Sequence, residues 1–197
     1  MGTIKTTNIE TITGSGTLTL GQSGETISVP SGATLDLSNA IQTGVGGVNT
    51  PAFLVRRSSN QSISDATGTK IQFDTEVYDS ASAFDSSSNY RFTVPSGQAG
   101  KYYFYGTVTI SSEADSANVN SQVYIYKNGS IIAQYENNNN GNYPRTMAIP
   151  YTYSETLSVG DYIEVYGYCD VSTGTGPAIV GETTRHKSTF GGFKIIE

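Results

Sequence analysis

The sequence predicts an all-β protein, and three observations indicate this fold class. The 197 residues include 22 Gly and 14 Tyr but no Trp, and aromatic and branched side chains favour pleated sheets. Short runs that alternate apolar and polar residues recur along the chain. Turn-forming pairs stand between them, such as Asn128-Gly129, in which both residues readily adopt a positive φ. No segment predicts a helix convincingly.

A short repeat occupies the first 49 residues. Thr17-Leu18-Thr19-Leu20 is followed by Thr26-Ile27-Ser28-Val29 and by Thr34-Leu35-Asp36-Leu37. Each unit is too short to cover a core, so the repeat is predicted to stack on itself or on copies from other chains. A flexible linker is the alternative. We interpret residues 1–49 as a repetitive β stalk and residues 50–197 as a head.

The head is predicted to contain eight to ten strands. The alternating runs lie at residues 52–56, 70–77, 90–94, 100–111, 118–127, 130–135, 146–153, 161–170 and 191–196. Asn128-Gly129 stands between two of these runs, which predicts a tight hairpin there.

Two of the runs carry bulky side chains at successive positions. Tyr102-Tyr103-Phe104-Tyr105 and Val123-Tyr124-Ile125-Tyr126 place such groups on both faces of a strand. A two-sheet sandwich buries only its inner faces, so the outer rings predict a subunit interface. Tyrosine on a solvated surface is the alternative. The interface candidates are Tyr103, Tyr105, Tyr124, Tyr126 and Tyr166.

Charge and hydropathy argue against several classes of partner. The net charge of -6 and the pI near 4.7 disfavour binding to nucleic acid or to anionic lipid. The N-terminus lacks the apolar run of a signal peptide, and no run is long enough to span a bilayer. We therefore expect no nucleic-acid partner and no membrane insertion. The single cysteine, Cys169, is expected to be an inert core residue.

Residues with catalytic potential are few. His186 is the only histidine and lies in a basic, loop-like segment. We expect no enzymatic activity, although paired carboxylates could cleave polysaccharide. No cofactor is expected, and the sequence has no specific calcium loop, although carboxylates such as Glu113 and Asp115 allow a structural calcium ion. The acidic cluster comprises Asp65, Asp74, Glu76, Asp79 and Asp85.

Two segments are candidates for recognition of a receptor. The first combines amides, which donate and accept hydrogen bonds, with tyrosines that can stack on sugars or peptides. A long exposed turn is its alternative interpretation. The second is a basic patch. The candidate residues are Tyr135, Asn137, Asn138, Asn139, Asn140, Asn142 and Tyr143 in the first segment, and Arg185, His186 and Lys187 in the second.

Residues 51–197 resemble the jelly roll shared by the globular head of the complement recognition protein and the tumour necrosis factors. Segments 52–55, 90–95, 100–104, 157–163 and 190–193 carry this resemblance through their order and spacing. It implies a ten-stranded antiparallel jelly roll that forms a homotrimer, with one sheet and its aromatic side chains facing the threefold axis. Family members usually bind macromolecules through surface loops, and some bind calcium. Unlike the family, this chain lacks a collagen-like stalk and has an Asn-rich insertion at 137–142.

Residues 4–10 and 16–21 resemble the N-terminal part of fibre proteins from tailed bacteriophages. This resemblance implies a tail or capsid fibre of the virion. Its N-terminus would attach to another virion protein, and its head would contact a glycan or protein on the host surface. One alternative is a purely structural head-decoration or tail-adaptor protein. A second alternative is a polysaccharide-degrading spike.

Overall fold

The computed structural model describes residues 26–34, 49–114, 117–173 and 176–195. The chain divides into two units, Met1–Gly46 and Gly47–Glu197. Within 26–34, the Ala33 N–H donates to the Pro30 carbonyl at 3.0 Å and closes a turn. Residues 26–29 form no strand in this single chain, and Ile27 and Val29 are exposed. Most of the predicted stalk lies outside the described residues, so the stalk stays a prediction.

The second unit is built from antiparallel strands, and its described part contains no helix. No helix in the described ranges could cross a membrane. The strands are β1 Ala52–Arg56, β2 Gln61–Ser62, β3 Thr69–Lys70, β4 Thr75–Asp79, β5 Phe84–Asp85, β6 Arg91–Thr93, β7 Gly100–Ser111, β8 Asn118–Lys127, β9 Ser130–Asn138, β10 Thr146–Leu157, β11 Tyr162–Val171, β12 Ala178–Ile179 and β13 Thr189–Lys194.

Two sheets pack face to face and confirm the predicted sandwich. Sheet A has seven strands in the order β2-β12-β7-β13-β1-β4, and β10 also pairs with β7. Sheet B has six strands in the order β5-β6-β11-β8-β9, and β3 also pairs with β11. The long strand β7 is the centre of sheet A, because β10 lies along one edge of it while β13 and β12 share the other.

The hairpin between β8 and β9 forms where the sequence predicts it. Asn128 and Gly129 adopt φ angles of 50° and 81°, so both central residues of the turn are left-handed. The Asn128 side chain also donates to Asp161 at 2.8 Å and accepts from the Tyr162 N–H at 2.9 Å. These bonds join the hairpin to the start of β11.

A cluster of aromatic rings fills the space between the sheets. Phe190 is its centre and is fully buried. Its ring lies 5.0 Å from Phe53 and 5.9 Å from Phe104, measured between centroids. It also approaches Phe73, Phe84 and Tyr151. Because Phe190 contacts rings from several strands of both layers, one side chain couples the two sheets.

Cys169 is buried on β11, as predicted. Burial raises the pKa of its thiol to about 11, although a hydrogen bond with Ser121 partly opposes this shift. The thiol is therefore protonated at neutral pH, which is consistent with an inert core residue.

A bulge in β9 decides which of its side chains face the core. Tyr126 pairs with Ile131, but Ile125 pairs with Ala133, so Ile132 is an extra residue. The extra residue changes the alternation, and Tyr135 comes to lie opposite the buried Val123. Tyr135 is consequently directed inward.

Candidate functional site

The outer face of sheet A carries a row of side chains in register. Tyr78 pairs with Leu54, Leu54 with Gly191, Gly191 with Tyr105, and Tyr105 with Thr152. Directly opposed residues of neighbouring strands point to the same side of a sheet. The row therefore crosses five strands on the side away from the core.

An aromatic cluster covers the middle of this surface, which we call the sheet A face and define as Leu54, Tyr78, Tyr103, Tyr105 and Phe193. The Tyr103 and Phe193 rings lie 5.6 Å apart, and the Tyr105 and Phe193 rings lie 6.4 Å apart. The Tyr78 and Tyr105 hydroxyls are 3.2 Å apart. Tyr78 nevertheless remains 45% exposed. The cluster is thus an apolar surface that the chain itself leaves partly uncovered.

Gly191 allows the Tyr105 ring to lie directly on β13. A Cβ at position 191 would come within 2.7 Å of the ring, which is closer than real contacts allow. Burial, together with the hydrogen bond to Tyr78, raises the pKa of Tyr105 to about 12. The Tyr105 hydroxyl is therefore neutral at physiological pH, and the cluster carries no charge.

Four residues of the edge strand β10 present uncharged side chains beside this cluster. Ala148, Pro150, Thr152 and Ser154 of β10 are exposed. Pro150 lacks an N–H group, and proline within a strand is typical of sheet edges. The sheet A face and these four residues thus form an uncharged surface, with Lys101 of β7 at its margin.

The outer face of sheet B carries a different set of tyrosines. The rings of Tyr126 and Tyr166 lie 4.2 Å apart between centroids. Tyr124 meets Tyr126 edge-on at 6.5 Å and Tyr168 edge-on at 6.4 Å. All four rings are half-buried. We call Tyr124, Tyr126, Tyr166 and Tyr168 the sheet B tyrosines.

Polar side chains surround the sheet B tyrosines. Tyr124 donates its hydroxyl proton to Gln122 Oε1, which also accepts from Gln134 Nε2 at 3.2 Å. Glu136 Oε1 accepts from Asn120 at 2.8 Å and from Gln122 at 3.3 Å. The result is a connected network of amides and a carboxylate on the same face as the rings.

A salt bridge lies at the other side of the sheet B tyrosines. Lys70 Nζ contacts Glu164 Oε1 at 2.6 Å and lies 6.0 Å from the centre of the Tyr166 ring. Burial raises the pKa of Tyr124, of Tyr166 and of Tyr168, and neighbouring acidic or phenolic groups add to each shift. Their hydroxyls are therefore protonated at neutral pH and can donate hydrogen bonds.

The five predicted interface tyrosines do not share one face. Tyr103 and Tyr105 lie on sheet A, whereas Tyr124, Tyr126 and Tyr166 lie on the opposite side of the sandwich, on sheet B. A single sheet that faces a threefold axis can use only one of these two groups. Subunit packing through one sheet would therefore leave the other group outside that interface.

The Asn-rich candidate segment is partly strand and partly turn. Asn137 and Asn138 belong to β9, and Asn138 lies beside Asn120 on the outer side of sheet B. The Asn139 side chain donates to the Asn118 carbonyl at 2.9 Å, which fastens the start of the turn. The other candidates beyond the strand are the exposed Asn140 and Asn142 and the half-buried Tyr143.

The ring of Tyr135, another receptor candidate, already packs against other residues of the chain. It packs 6.1 Å from Tyr151, measured between ring centroids, and its hydroxyl donates to the Thr152 carbonyl. Because Thr152 belongs to β10, Tyr135 closes the edge of the sandwich between the two sheets. Its position supports a structural role.

The basic candidates Arg185, His186 and Lys187 form an exposed loop between β12 and β13. Arg185 and Lys187 both approach Glu182, at 3.6 Å and 3.7 Å respectively. His186 has a φ of 41°. The cationic character of this patch is therefore reduced by a nearby carboxylate.

The carboxylates of the acidic cluster accept hydrogen bonds that stabilise loops. Asp85 accepts hydrogen bonds from the backbone of Ser87 and Ser88, and these bonds lower its pKa. Asp79 accepts from the backbone N–H groups of Ala81 and Phe84, which fixes the connection from β4 to β5. Asp65 accepts from the Val171 N–H, and Glu76 accepts from Ser86. Each of these carboxylates has a structural partner.

Asp74, the fifth member of the cluster, joins the end of β1 to the loop before β4. Burial raises its pKa, but hydrogen bonds from Ser58 and the charge of Arg57 outweigh that effect and lower the pKa overall. Arg57 Nη1 lies 2.6 Å from Asp74 Oδ2. Among the described carboxyls, those with a clearly shifted pKa are Asp74, Asp85 and Asp161, and in each of them the pKa is lowered. A general acid for sugar cleavage needs the opposite shift.

Acid is expected to destabilise the head as the pH falls below about 5. A carboxyl with a lowered folded-state pKa stabilises the fold above its unfolded pKa, and that contribution is lost as the pH falls through the folded pKa. The urea midpoint should stay level from roughly pH 7 to pH 5 and fall below that range. Asp74→Asn should lower stability at neutral pH by the order of 1 kcal/mol and flatten the acid dependence. An unchanged acid dependence in this variant would contradict the assignment.

The sequence matches no protein-family model and no curated protein. The structure, however, is similar to solved domains. The globular domain of zebrafish complement 1qA aligns with 75% of this chain and 99% of its own length, at 15% identity and a TM-score of 0.52. Eiger TNF from S. frugiperda aligns with 74% of this chain and 92% of its own, at 12% identity and a TM-score of 0.51.

A third similar structure, murine APRIL, aligns with 73% of this chain and 98% of its own length, at 12% identity and a TM-score of 0.52. The fold is a complement/TNF-type jelly roll. This finding confirms the fold that the sequence predicts for the head. At these identities the similarity concerns the fold alone, and the surfaces of this complement/TNF-type jelly roll are its own.

Sequence reasoning missed several residues of both faces. Tyr78 and Phe193 complete the sheet A face, and Tyr168, Gln122 and Glu136 complete the sheet B surface. For Tyr168 the sequence contains a signal, because Tyr168 follows Tyr166 by two residues and precedes the apolar Cys169. This alternation places Tyr168 on the same face of the strand as Tyr166.

Proposed function

We propose that this chain is a homotrimeric fibre protein of a virion, whose stalk attaches to the particle and whose jelly-roll head binds the host surface. The tail or the capsid would carry the fibre. We expect no enzymatic activity and no cofactor.

The sheet A face is the observation that carries the proposal. Its aromatic side chains are uncharged, partly exposed and flanked by the uncharged Ala148, Pro150, Thr152 and Ser154 of β10. Burial of one such ring contributes roughly 1.5–3 kcal/mol, so three subunits that cover this face would gain a stable interface. The family that the head resembles also assembles as trimers with one sheet at the axis.

The binding role and the virion are supported more indirectly. The resemblance of residues 4–10 and 16–21 to phage fibres supports attachment through the N-terminus. Members of the complement and tumour necrosis factor family usually bind other macromolecules, which supports a receptor-binding head. The exposed Ile27 and Val29 in the stalk offer apolar side chains to another chain.

Two measurements on the full chain test the proposal. Light scattering after size-exclusion chromatography should give three times the chain mass of 20.9 kDa. Fluorescently labelled protein should bind susceptible host cells, and excess unlabelled protein should compete for the same sites. A monomeric mass would exclude the trimeric head, and binding that does not saturate on any host tested would exclude the receptor role.

A purely structural decoration or adaptor protein is the second candidate. The exposed Ile27 and Val29 favour it equally, because docking onto another virion component would cover them. Deletion of the gene distinguishes the two candidates. Particles that assemble normally but adsorb poorly support the receptor-binding fibre, whereas particles that assemble poorly but adsorb normally support the adaptor.

A further inference from the structure

The outer faces of the two sheets differ in chemistry. The sheet A face is aromatic and uncharged, whereas the sheet B tyrosines alternate with amides and carboxylates that already form hydrogen bonds. Permanent subunit interfaces are more apolar than the rest of a surface. The mixed composition of sheet B is more typical of a surface that meets solvent and binds a polar ligand reversibly.

The sheet B tyrosines form a ring-lined surface on rigid strands. Tyr124 pairs directly with Tyr166 across β8 and β11, and Tyr168 pairs with Gln122. Tyr126 and Tyr166 are in contact with one another, which limits their rotation. Rings of this kind offer an apolar surface to the C–H face of a pyranose, and because they are held in place they lose little entropy on binding.

The polar network stands beside these rings on the same face. Gln134, Glu136 and Asn138 of β9 are exposed, and they alternate with inward-facing residues along the strand. Glu136 already holds Asn120 and Gln122 in place. Amides both donate and accept, and carboxylates accept, so the network suits a ligand with many hydroxyl groups.

The charges on this face indicate that such a ligand is neutral. Its charged side chains are Glu136, Glu164, Asp170 and Asp85, against the two cations Lys70 and Arg91. Lys70 is held by Glu164 at 2.6 Å, and Arg91 lies over the Tyr162 ring. The surface is therefore acidic, as is the whole chain with its net charge of -6. Sulfated, phosphorylated or uronic-acid polymers would be repelled.

We propose that the outer face of sheet B binds a neutral polysaccharide, with the sheet B tyrosines stacking on sugar rings and the β9 amides and Glu136 bonding to hydroxyls. The inference rests on the proposed binding role of the head and specifies its site and ligand class. It places the ligand on the sheet and not in the Asn140–Asn142 turn or the Arg185–Lys187 loop. Asn138 is the one receptor candidate of the turn segment that belongs to this surface.

An array of immobilised polysaccharides tests the inference with the full chain. The array carries neutral glucans, mannans, galactans and xylans, and dextran sulfate beside dextran as a pair that differs in charge. The wild-type protein should bind at least one neutral polymer and no sulfated one. Tyr126→Ala, Tyr166→Ala and Gln134→Ala should each weaken that binding by about tenfold. Tyr126→Phe, which keeps the ring, should retain most of it.

Matched controls distinguish binding through this surface from binding through the loops and from an effect of the substitutions on folding. Asn140→Ala and Lys187→Ala change exposed residues of the two loop candidates and should leave polysaccharide binding unchanged. Every variant should have the light-scattering mass of the wild type. Every variant should also stay folded at the temperature of the binding assay, although loss of the packed Tyr126 or Tyr166 ring should lower the thermal unfolding midpoint somewhat. A monomeric Tyr126→Ala variant would show that sheet B is a subunit interface and would overturn the inference.

The inference and the proposed function can fail independently. Binding to no neutral polysaccharide overturns the inference, even if the protein is trimeric and binds host cells. Host-cell binding that is lost in Tyr126→Ala without any polysaccharide binding would identify a protein receptor, which also overturns it. A monomeric wild-type protein that binds dextran through these residues would overturn the trimer and leave the inference standing.

Discussion

Replacing Tyr105 by lysine is expected to convert the proposed trimer into folded monomers. The Tyr105 ring lies over Gly191 in the middle of the sheet A face, so a lysine there would place a charge inside the proposed interface. Removing an unpaired charge from water costs several kcal/mol per subunit, and the threefold axis repeats the cost three times. Light scattering at micromolar concentration should report one chain mass in place of three.

Tyr126→Lys is the matched control for this experiment. It makes the same change in a half-buried tyrosine on the opposite sheet, where contact with solvent is expected. The Tyr126→Lys protein should remain trimeric, and Tyr105→Phe should also remain trimeric because the ring is kept. Dissociation by Tyr126→Lys, with Tyr105→Lys still trimeric, would place the interface on sheet B.

Phe190→Ala is expected to cause the largest loss of stability, about 3–5 kcal/mol. The side chain is fully buried and contacts rings of β1, β5, β7 and β10, so its removal leaves a cavity between the sheets. The neighbouring aromatic rings are rigid and cannot collapse into that space easily. Urea unfolding at a fixed protein concentration measures the loss.

Phe190→Leu serves as the control, because it retains most of the apolar volume and should cost about 1–2 kcal/mol. If Phe190→Ala destabilised the protein by no more than Phe190→Leu, the packing role of this ring would be refuted. The exposed Val159→Ala should change the urea midpoint very little.

Strands with strong local signals were predictable from sequence. The structure places β7 at Gly100–Ser111 and β8 at Asn118–Lys127, which are the predicted bounds. The strands β2, β3, β5 and β12 have two residues each. Such strands exist only because tertiary contacts bring a longer strand beside them, so local alternation cannot reveal them.

Side-chain direction was harder to predict than strand position. The sequence indicates that β7 and β8 are packed on both of their faces, because bulky side chains occupy successive positions. It does not show that the two strands belong to opposite sheets. A second reason why side-chain direction is hard to predict is seen at Tyr135. The extra residue Ile132 reverses the alternation in β9 and turns Tyr135 toward the core. A bulge depends on pairing with the neighbouring strand, and no local pattern encodes it.

The outer faces of the two sheets point in opposite directions, and this arrangement affects the strength of binding. In a trimer joined through sheet A, three sheet B faces would point away from the axis and could engage one repetitive polymer together. Once the first face is bound, the others meet the polymer at an effective local concentration in the millimolar range, so that a weak single-site affinity becomes strong avidity. A fibre of this design would hold firmly to a host surface while each individual contact remains free to release and rebind.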